Sequence, residues 1–358
     1  MRKVVLAILI AVAFLCTAGA VDTLDVHFID VGQGDAILID YGENEMLIDG
    51  GADGSCVDFL REYVDGNLEV VVATHPHSDH IGGLDDVLRA FTVLEVVTSG
   101  ATAASNAYAN FAAAVAAEGL TATIVRRNST VSLGDLELKV LHPYELVGDA
   151  NDDSIVLQLT YMKVSFLFTG DITCDVEEEL LRETCLSDID ILKIAHHGSA
   201  YGTCKPFLDV TKPEIAVYSA AVANRYGHPA ESTLMRLENS GALIVGTDKQ
   251  GHIAISTTGN KPQISVGVDV HSTSNVIPPA PTACEACLLA LNQATKTGFA
   301  AVPGIGDSKS QALVDSQPFN VAVCAIQEIE AALDEVPGIG ETLSERIARY
   351  FCSQLYGN

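Results

Sequence analysis

Three histidines and an aspartate fall within six residues in Thr74-His75-Pro76-His77-Ser78-Asp79-His80-Ile81-Gly82-Gly83, directly after the apolar run Leu68-Glu69-Val70-Val71-Val72-Ala73. The run is short, β-branched and continuous, which predicts a buried strand. Leu84 to Phe91 has apolar positions at helical spacing, so the cluster lies where a strand ends and a helix begins. Two glycines let the backbone turn there. Imidazole nitrogen and carboxylate oxygen suit zinc, manganese or iron. His75 and His77 are two residues apart and point the same way in an extended segment. Asp79 and His80, in the turn that follows, can face a second ion close by. The bland alternative is a solvated histidine-rich loop.

Further motifs agree with the metal reading. Leu47-Ile48-Asp49-Gly50-Gly51 lies upstream; Phe168-Thr169-Gly170-Asp171 and Lys193-Ile194-Ala195-His196-His197-Gly198-Ser199 lie downstream. With H-x-H-x-D-H, these resemble the metallo-β-lactamase fold. Phe28-Ile29-Asp30-Val31-Gly32-Gln33-Gly34-Asp35-Ala36, the double histidine and Asn224-Arg225-Tyr226-Gly227-His228-Pro229 narrow the match. They make roughly residues 24–258 similar to the hydrolase domain of the ComEC family of DNA-uptake competence proteins. The resemblance implies an α/β architecture, the αβ/βα sandwich, and a site for two divalent metal ions (Zn2+ or Mn2+). His75 and His77 would hold the first ion, Asp79 and His80 the second, with Asp171 bridging. His196 would complete the second site, and His197 could swap with it. Asp30, Asp35 and Asp49 would support these ligands by hydrogen bonding; for Asp49 the alternative is an N-cap for the segment near Gly54.

The candidate catalytic residues are Asp79, His228 and Ser199. His228 would donate a proton or hold a phosphate, with Asn224 beside it; a capping or core histidine is the alternative. One departure bears on the first ion. Many enzymes of this fold place another histidine between the second and fourth motifs, where this chain has His142 and the run Asn151-Asp152-Asp153-Ser154. Asn151 or Asp152 could contact metal or substrate, and an oxygen-rich first site would suit manganese as well as zinc.

The 358 residues allow two domains. Arg2 and Lys3 precede an apolar run from Val4 to Leu15, and Ala18-Gly19-Ala20 follows, the pattern of a secretory signal peptide over 1–20. The run is short for a membrane span, which needs about 20 residues, although an uncleaved anchor is the alternative. We expect no span after cleavage and a secreted or cell-surface protein. Cleavage removes two of the 20 basic residues and none of the 47 acidic ones, so the formal charge moves from −27 to −29. Such a surface repels nucleic acid and lacks the basic stripe of an ordinary DNA binder. High salt would screen it, since the Debye length shrinks to about 3 Å at 1 M.

Strand patterns over 93–97, 121–125, 136–141, 155–160, 164–168, 189–194, 213–219, 243–245 and 253–256, with an alanine-rich helix over 103–118 and helices over 176–182 and 231–238, predict a hydrolase domain over 21–260. The proline-bearing stretch 261–283 reads as a linker, to which 263–270 could add a last strand. Val302-Pro303-Gly304-Ile305-Gly306 recurs 34 residues later as Val336-Pro337-Gly338-Ile339-Gly340, and each copy opens a helical run. Residues 284–358 thereby resemble a ComEA-like, small all-α tandem helix-hairpin-helix domain. Gly304, Gly306, Gly338 and Gly340 would expose backbone N–H groups to a DNA phosphate without reading sequence, with Lys309 and Arg346 adding charge. Eight cysteines remain after cleavage, four in each domain, and an even count in an exported chain favours disulfides. Cys174 and Cys185 bracket a helix that holds them too far apart to pair. Cys284, Cys287, Cys324 and Cys352 could instead bind zinc.

Three functions fit the sequence. The first is a secreted, metal-dependent phosphodiesterase or nuclease acting on DNA. The second is a hydrolase of another ester or a lactam, with the hairpins as a protein-docking module. The third is a DNA-capture protein without turnover.

Overall fold

The computed structural model describes residues 23–267, 275–277 and 313. The signal-peptide segment and, Leu313 apart, the whole hairpin region with its four cysteines, Lys309 and Arg346 lie outside the described residues. The strands in chain order are β1 (Leu24–Phe28), β2 (Ile37–Tyr41), β3 (Asn44–Ile48), β4 (Leu68–Ala73), β5 (Val93–Thr98), β6 (Thr123–Ile124), β7 (Thr130–Leu133), β8 (Leu136–His142), β9 (Val156–Tyr161), β10 (Val164–Phe168), β11 (Ile191–Lys193), β12 (Ile215–Tyr218), β13 (Leu243–Gly246), β14 (Ile253–Thr257), β15 (Gln263–Val266) and β16 (Asn275–Ile277). The helices are α1 (Cys56–Tyr63), α2 (Ser78–Ile81), α3 (Leu84–Ala90), α4 (Asn106–Ala117), α5 (Cys174–Glu183), α6 (Lys205–Thr211), α7 (Glu231–Ser240) and α8 (Thr247–Gln250).

Two mixed sheets pack face to face, one ordered β16-β15-β14-β1-β2-β3-β4-β5-β6 and the other β13-β12-β11-β10-β9-β8-β7. The side-chain period of a strand explains the layering. In β4, Val70 and Val72 enter the core between the sheets, whereas Val71 and Ala73 enter the core under α1, α3 and α4. In β10, Phe166 and Phe168 join the central core and Leu167 the one under α5, α6 and α7. Strand segments buried on both faces must read as continuous apolar runs, which is why Val70–Ala73 and Phe166–Phe168 do. The result is the expected sandwich with helices outside both sheets.

The expected helix over 84–91 is α3, and the alanine-rich one is α4, whose Ser105 side chain caps the Tyr108 N–H at 3.2 Å. β7, α6 and α8 have no counterpart in the sequence reading. β15 and β16 lie inside the stretch read as linker, pairing antiparallel with β14 and with each other. The chain divides into two units at Ile277 and Pro278. Among the described residues, no helix is long and apolar enough to cross a membrane.

β3, β4 and β5 run parallel, as do β10, β11, β12 and β13. The ends of β3, β4, β10, β11 and β12 deliver Asp49, His75, Asp171, His196–His197 and Ser219 respectively. Sites form at the carboxyl ends of such strands because connections there are free to diverge from the sheet.

Candidate metal centre

The geometry starts from hydrogen bonds that spend the Nδ1 of three imidazoles. The buried Asp49 carboxylate accepts from Thr74 N–H at 2.8 Å and from Thr74 Oγ1 at 2.6 Å. A carboxylate can only accept, so the Thr74 hydroxyl donates its proton there and accepts from His75 Nδ1, 3.1 Å away. Asp49 also accepts from His80 Nδ1 at 2.7 Å. His197 Nδ1 donates to the Ser219 carbonyl at 3.0 Å. Each ring therefore offers its Nε2 lone pair inward, the arrangement that fixes metal-binding imidazoles.

Those nitrogens converge on one oxygen. Asp171 Oδ2 lies 3.2 Å from His80 Nε2, 3.4 Å from His197 Nε2, 3.8 Å from His196 Nε2 and 3.9 Å from His75 Nε2. His75 Nε2 is 3.0 Å from His77 Nδ1, and His197 Nε2 is 3.5 Å from Asp79 Oδ2. Ligand atoms of Asp35, His80, Asp171 and His197 all lie within 4.8 Å of one another. Asp171 Oδ1 is buried without a hydrogen-bond partner. An acceptor buried unpaired beside several lone pairs fits a cation, which would satisfy all of them at once.

Electrostatics agrees. Burial alone would raise the Asp171 carboxyl, but His197 and His80 outweigh it and hold it well below the usual range. Burial would lower His80, yet Asp171 and Asp49 push it well above its ordinary value; Asp171 and Asp35 do the same for His197. Positive charge is favoured at this place. His75 is driven the other way by burial, with His80 adding to it.

The double histidine is a backbone device. His196 and His197 both take left-handed φ angles, 50° and 54°, and so does Asp49 at 59°. Bulky side chains pay for that conformation, and such strain gathers where surrounding structure imposes it. The tight turn sends the two rings apart: His197 is 1 % exposed and faces the cluster, while His196 is 26 % exposed and lines the adjoining cleft. Of the two, His197 has the closer Nε2 to Asp171 and the anchored Nδ1.

Asp35 sits beneath His197, its Oδ2 2.7 Å from the buried Lys193 Nζ and its Oδ1 3.4 Å from His197 Nδ1. Gly34 makes this possible, because a Cβ there would lie 2.1 Å from the Asp79 carbonyl oxygen. Asp30 stays out of the cluster; its carboxylate accepts the Gly32 N–H and shapes the turn. Asp152 accepts from the N–H and hydroxyl of Thr173, and Asn151 Oδ1 is buried without a partner. His142 points to the Asp152 carbonyl, 2.6 Å from its Nε2. Ser199 is buried, its Oγ accepting the Tyr201 N–H at 3.3 Å. Asn224 spends its amide on its own loop, donating to the Ala221 and His228 carbonyls and accepting from the Tyr226 and His228 N–H groups.

A cleft of about 260 Å³ opens over the cluster, with His77, Asp79, His196 and His228 in its wall. Gln33 and Tyr226 also line it, and the sequence reading gave neither a role. Gln33 stands between two glycines, a pattern that could have marked a projecting side chain. Of the first-domain cysteines, Cys174 and Cys204 form a disulfide, while Cys56 is free and buried and Cys185 free and exposed. The expected pairing in this half thus holds for one pair. Cys56 cannot join another because it lies on the inner face of α1, its Sγ on the Gly50 carbonyl.

The sequence model of the Metallo-beta-lactamase superfamily matches residues 29–222. ComE operon protein 3 of Bacillus subtilis is 28% identical over 252 residues, 64% of this chain and 32% of that protein. Recombination protein 2 of Haemophilus influenzae is 27% identical over 242 residues, 65% of this chain and 29% of its own length. The chain thus spans about a third of these relatives. Among solved structures it is similar to the metallo-beta-lactamase fold protein YhfI from Bacillus subtilis, with TM-score 0.45 and 12% identity, over 66% of this chain and 100% of that one.

Proposed function

The chain belongs to the metallo-beta-lactamase superfamily of metal-dependent hydrolases, and from that premise we propose that it is an extracytoplasmic phosphodiesterase that cleaves DNA. The observation that carries the reading is the convergence of three Nε2 atoms, each with its Nδ1 committed, on the buried Asp171 carboxylate. His75, His77 and Asp171 would hold one divalent cation; Asp79, His80, Asp171 and His197 would hold the other, with His196 at the cleft face. Such ions supply an acidified water and neutralise charge developing on phosphoryl oxygens.

The protein's own groups do the rest. Asp49 holds the first His80 proton on Nδ1, and the Ser219 carbonyl does the same for His197, so Nε2 is the atom each ring would turn to an ion that displaces the second proton. Lys193 balances the Asp35 charge beneath the cluster, so Asp35 can stay ionised against His197. His228 faces the cleft with Nδ1 buried and without a hydrogen bond, in place to hold a phosphate oxygen or pass a proton to the leaving oxygen. Asn224 fixes the His228 backbone rather than reaching the substrate.

DNA is favoured over other esters by the repeated Val-Pro-Gly-Ile-Gly motif, whose glycines Gly304, Gly306, Gly338 and Gly340 suit phosphate docking. A relative named Recombination protein 2 supports the same choice, as Arg2-Lys3 and the apolar run after them support export. The formal charge of −27 favours a second reading, hydrolysis of an uncharged ester or lactam with the hairpins docking a protein.

Incubation of the purified chain with single- and double-stranded DNA, manganese or zinc, and high salt separates the two. Cleavage that disappears in His77→Ala and Asp171→Ala while DNA binding persists supports the nuclease. If both variants cut like the parent, the site assignment fails; hydrolysis of lactams or carboxylic esters without DNA cleavage favours the second reading.

A further inference from the structure

The cleft over the metal cluster measures about 260 Å³, below the roughly 300–1,000 Å³ of sites that enclose a drug-sized ligand. It can take a phosphodiester and part of one sugar. The bases flanking that phosphate must therefore lie outside, against whatever forms the rim. On one side the rim is the loop after β12. Tyr226 lines the cleft there and is still 52% exposed. Its ring continues the direction of His228, with centroids 5.9 Å apart and planes 24° apart. His228 in turn stands 5.4 Å from His196, ring to ring. The Arg225 guanidinium sits 4.8 Å from the Tyr226 ring centre, with Nη2 2.5 Å from the phenol oxygen. Because Tyr226 lines the cleft, the guanidinium stacked on its ring lies at the rim.

The shelf is held in register by one atom. Asn224 Oδ1 accepts the N–H groups of both Tyr226 and His228, each at 3.1 Å. The loop thus carries a graded series outward from the cluster: an imidazole, a phenol ring, then a guanidinium. Aromatic faces accept any base, and a guanidinium accepts a phosphate.

We propose that Tyr226 and Arg225 form a nucleotide platform, Tyr226 stacking the base beside the scissile phosphate and Arg225 leaving the ring to hold the next phosphate. This rests on the DNA-cleaving reading above and adds a substrate preference. An unpaired strand can lay a base on the ring at once, whereas a duplex base is already stacked and must first be freed. The platform therefore selects single-stranded ends or segments. It also puts one cation at the mouth of a site whose surroundings are acidic, where a phosphate chain most needs it.

The experiment compares equilibrium binding of a thymidine octanucleotide and an abasic octamer of the same charge, by fluorescence anisotropy, to the full chain and its Tyr226→Ala, Tyr226→Phe and Arg225→Ala variants. The parent and Tyr226→Phe should bind the thymidine strand about 5- to 100-fold more tightly than the abasic one. Tyr226→Ala should bind both strands alike. Arg225→Ala should weaken both and lower the slope of log affinity against log salt by about 0.7. Equal binding of the two strands by the parent overturns the platform, as does a Tyr226→Ala loss of the same size on both. Cleavage of the thymidine strand by the parent with metal is read in parallel. Its absence with base-dependent binding intact sinks the DNA-cleaving reading alone, and base-independent binding with cleavage intact sinks the platform alone.

Discussion

The Cys174–Cys204 disulfide ties the loop that delivers Asp171 to the end of the loop that delivers His196 and His197. Its two cysteines are 30 residues apart in sequence, with Cα atoms 5.7 Å apart. Closing a loop of that length in the unfolded chain removes entropy worth about 3.6 kcal/mol at 25 °C on the chain-closure model. Replacing both residues by serine leaves the folded contacts nearly intact. The Cys174 N–H still reaches the Tyr201 carbonyl at 2.8 Å, and the Cys204 N–H still reaches Glu177 Oε2 at 2.7 Å. The loss therefore falls on the unfolded state and should appear as lower stability of an otherwise native domain. At roughly 2–4 °C per kcal/mol for a domain of this size, the Cys174→Ser/Cys204→Ser protein should melt about 7–14 °C below the parent. Calorimetry of the two proteins under non-reducing conditions measures this, with peptide mapping to establish that the parent carries the bond. The double variant is preferable to a reductant, which would also reach the cysteines of the C-terminal region. An unchanged melting temperature in a parent shown to be bonded would refute the entropy argument. Free thiols at 174 and 204 in the parent would refute the pairing itself.

Two further outcomes follow from groups around the same loops. Asp49→Asn keeps the size of the side chain but turns an N–H donor toward either Thr74 or His80; metal affinity, titrated against a chelator, should fall about 10- to 100-fold, and unchanged affinity would remove Asp49 from its supporting role. Glu177 is buried against the Thr203 and Cys204 N–H groups, and burial wins over those bonds, pushing its carboxyl from 4.5 up to about 8. Between those values the folded chain binds the proton that the unfolded chain has lost, so stability is full below 4.5 and declines as pH rises through about 8. Urea unfolding should show that decline, at most about 1.4 kcal/mol per pH unit from this group. Glu177→Gln should flatten it, and an identical slope in the variant would show that Glu177 is not its source.

How much of this was legible beforehand depends on the range of each interaction. The order of strands and helices around the first metal motif follows from periods of two and 3.6, which are local properties of the chain. α3, α4 and β10 fall where those periods put them. β7, with two exposed and two buried residues, is too short to announce itself, and α6 is a seven-residue helix with a proline in its first turn, too short to show a helical period. β15 becomes a strand because β14 offers it an edge, a fact about a neighbour and not about residues 263–266 themselves.

The same division runs through the site. Spacing within one segment determined that His75, His77, Asp79 and His80 could serve a metal, since covalent geometry confines four side chains six residues long to one small volume. Motif resemblance added Asp171 and the double histidine. Only the folded chain gives the adjacent histidines different places, because two successive left-handed residues turn one ring inward and the other toward the cleft. Only the folded chain sent Asp30 outward, closed Asn224 on its own loop, seated Lys193 on Asp35 and paired Cys174 with Cys204. Those outcomes depend on which distant backbone carbonyl or charge a polar atom meets once water is excluded, and partners brought together by two packed sheets leave no period in the sequence.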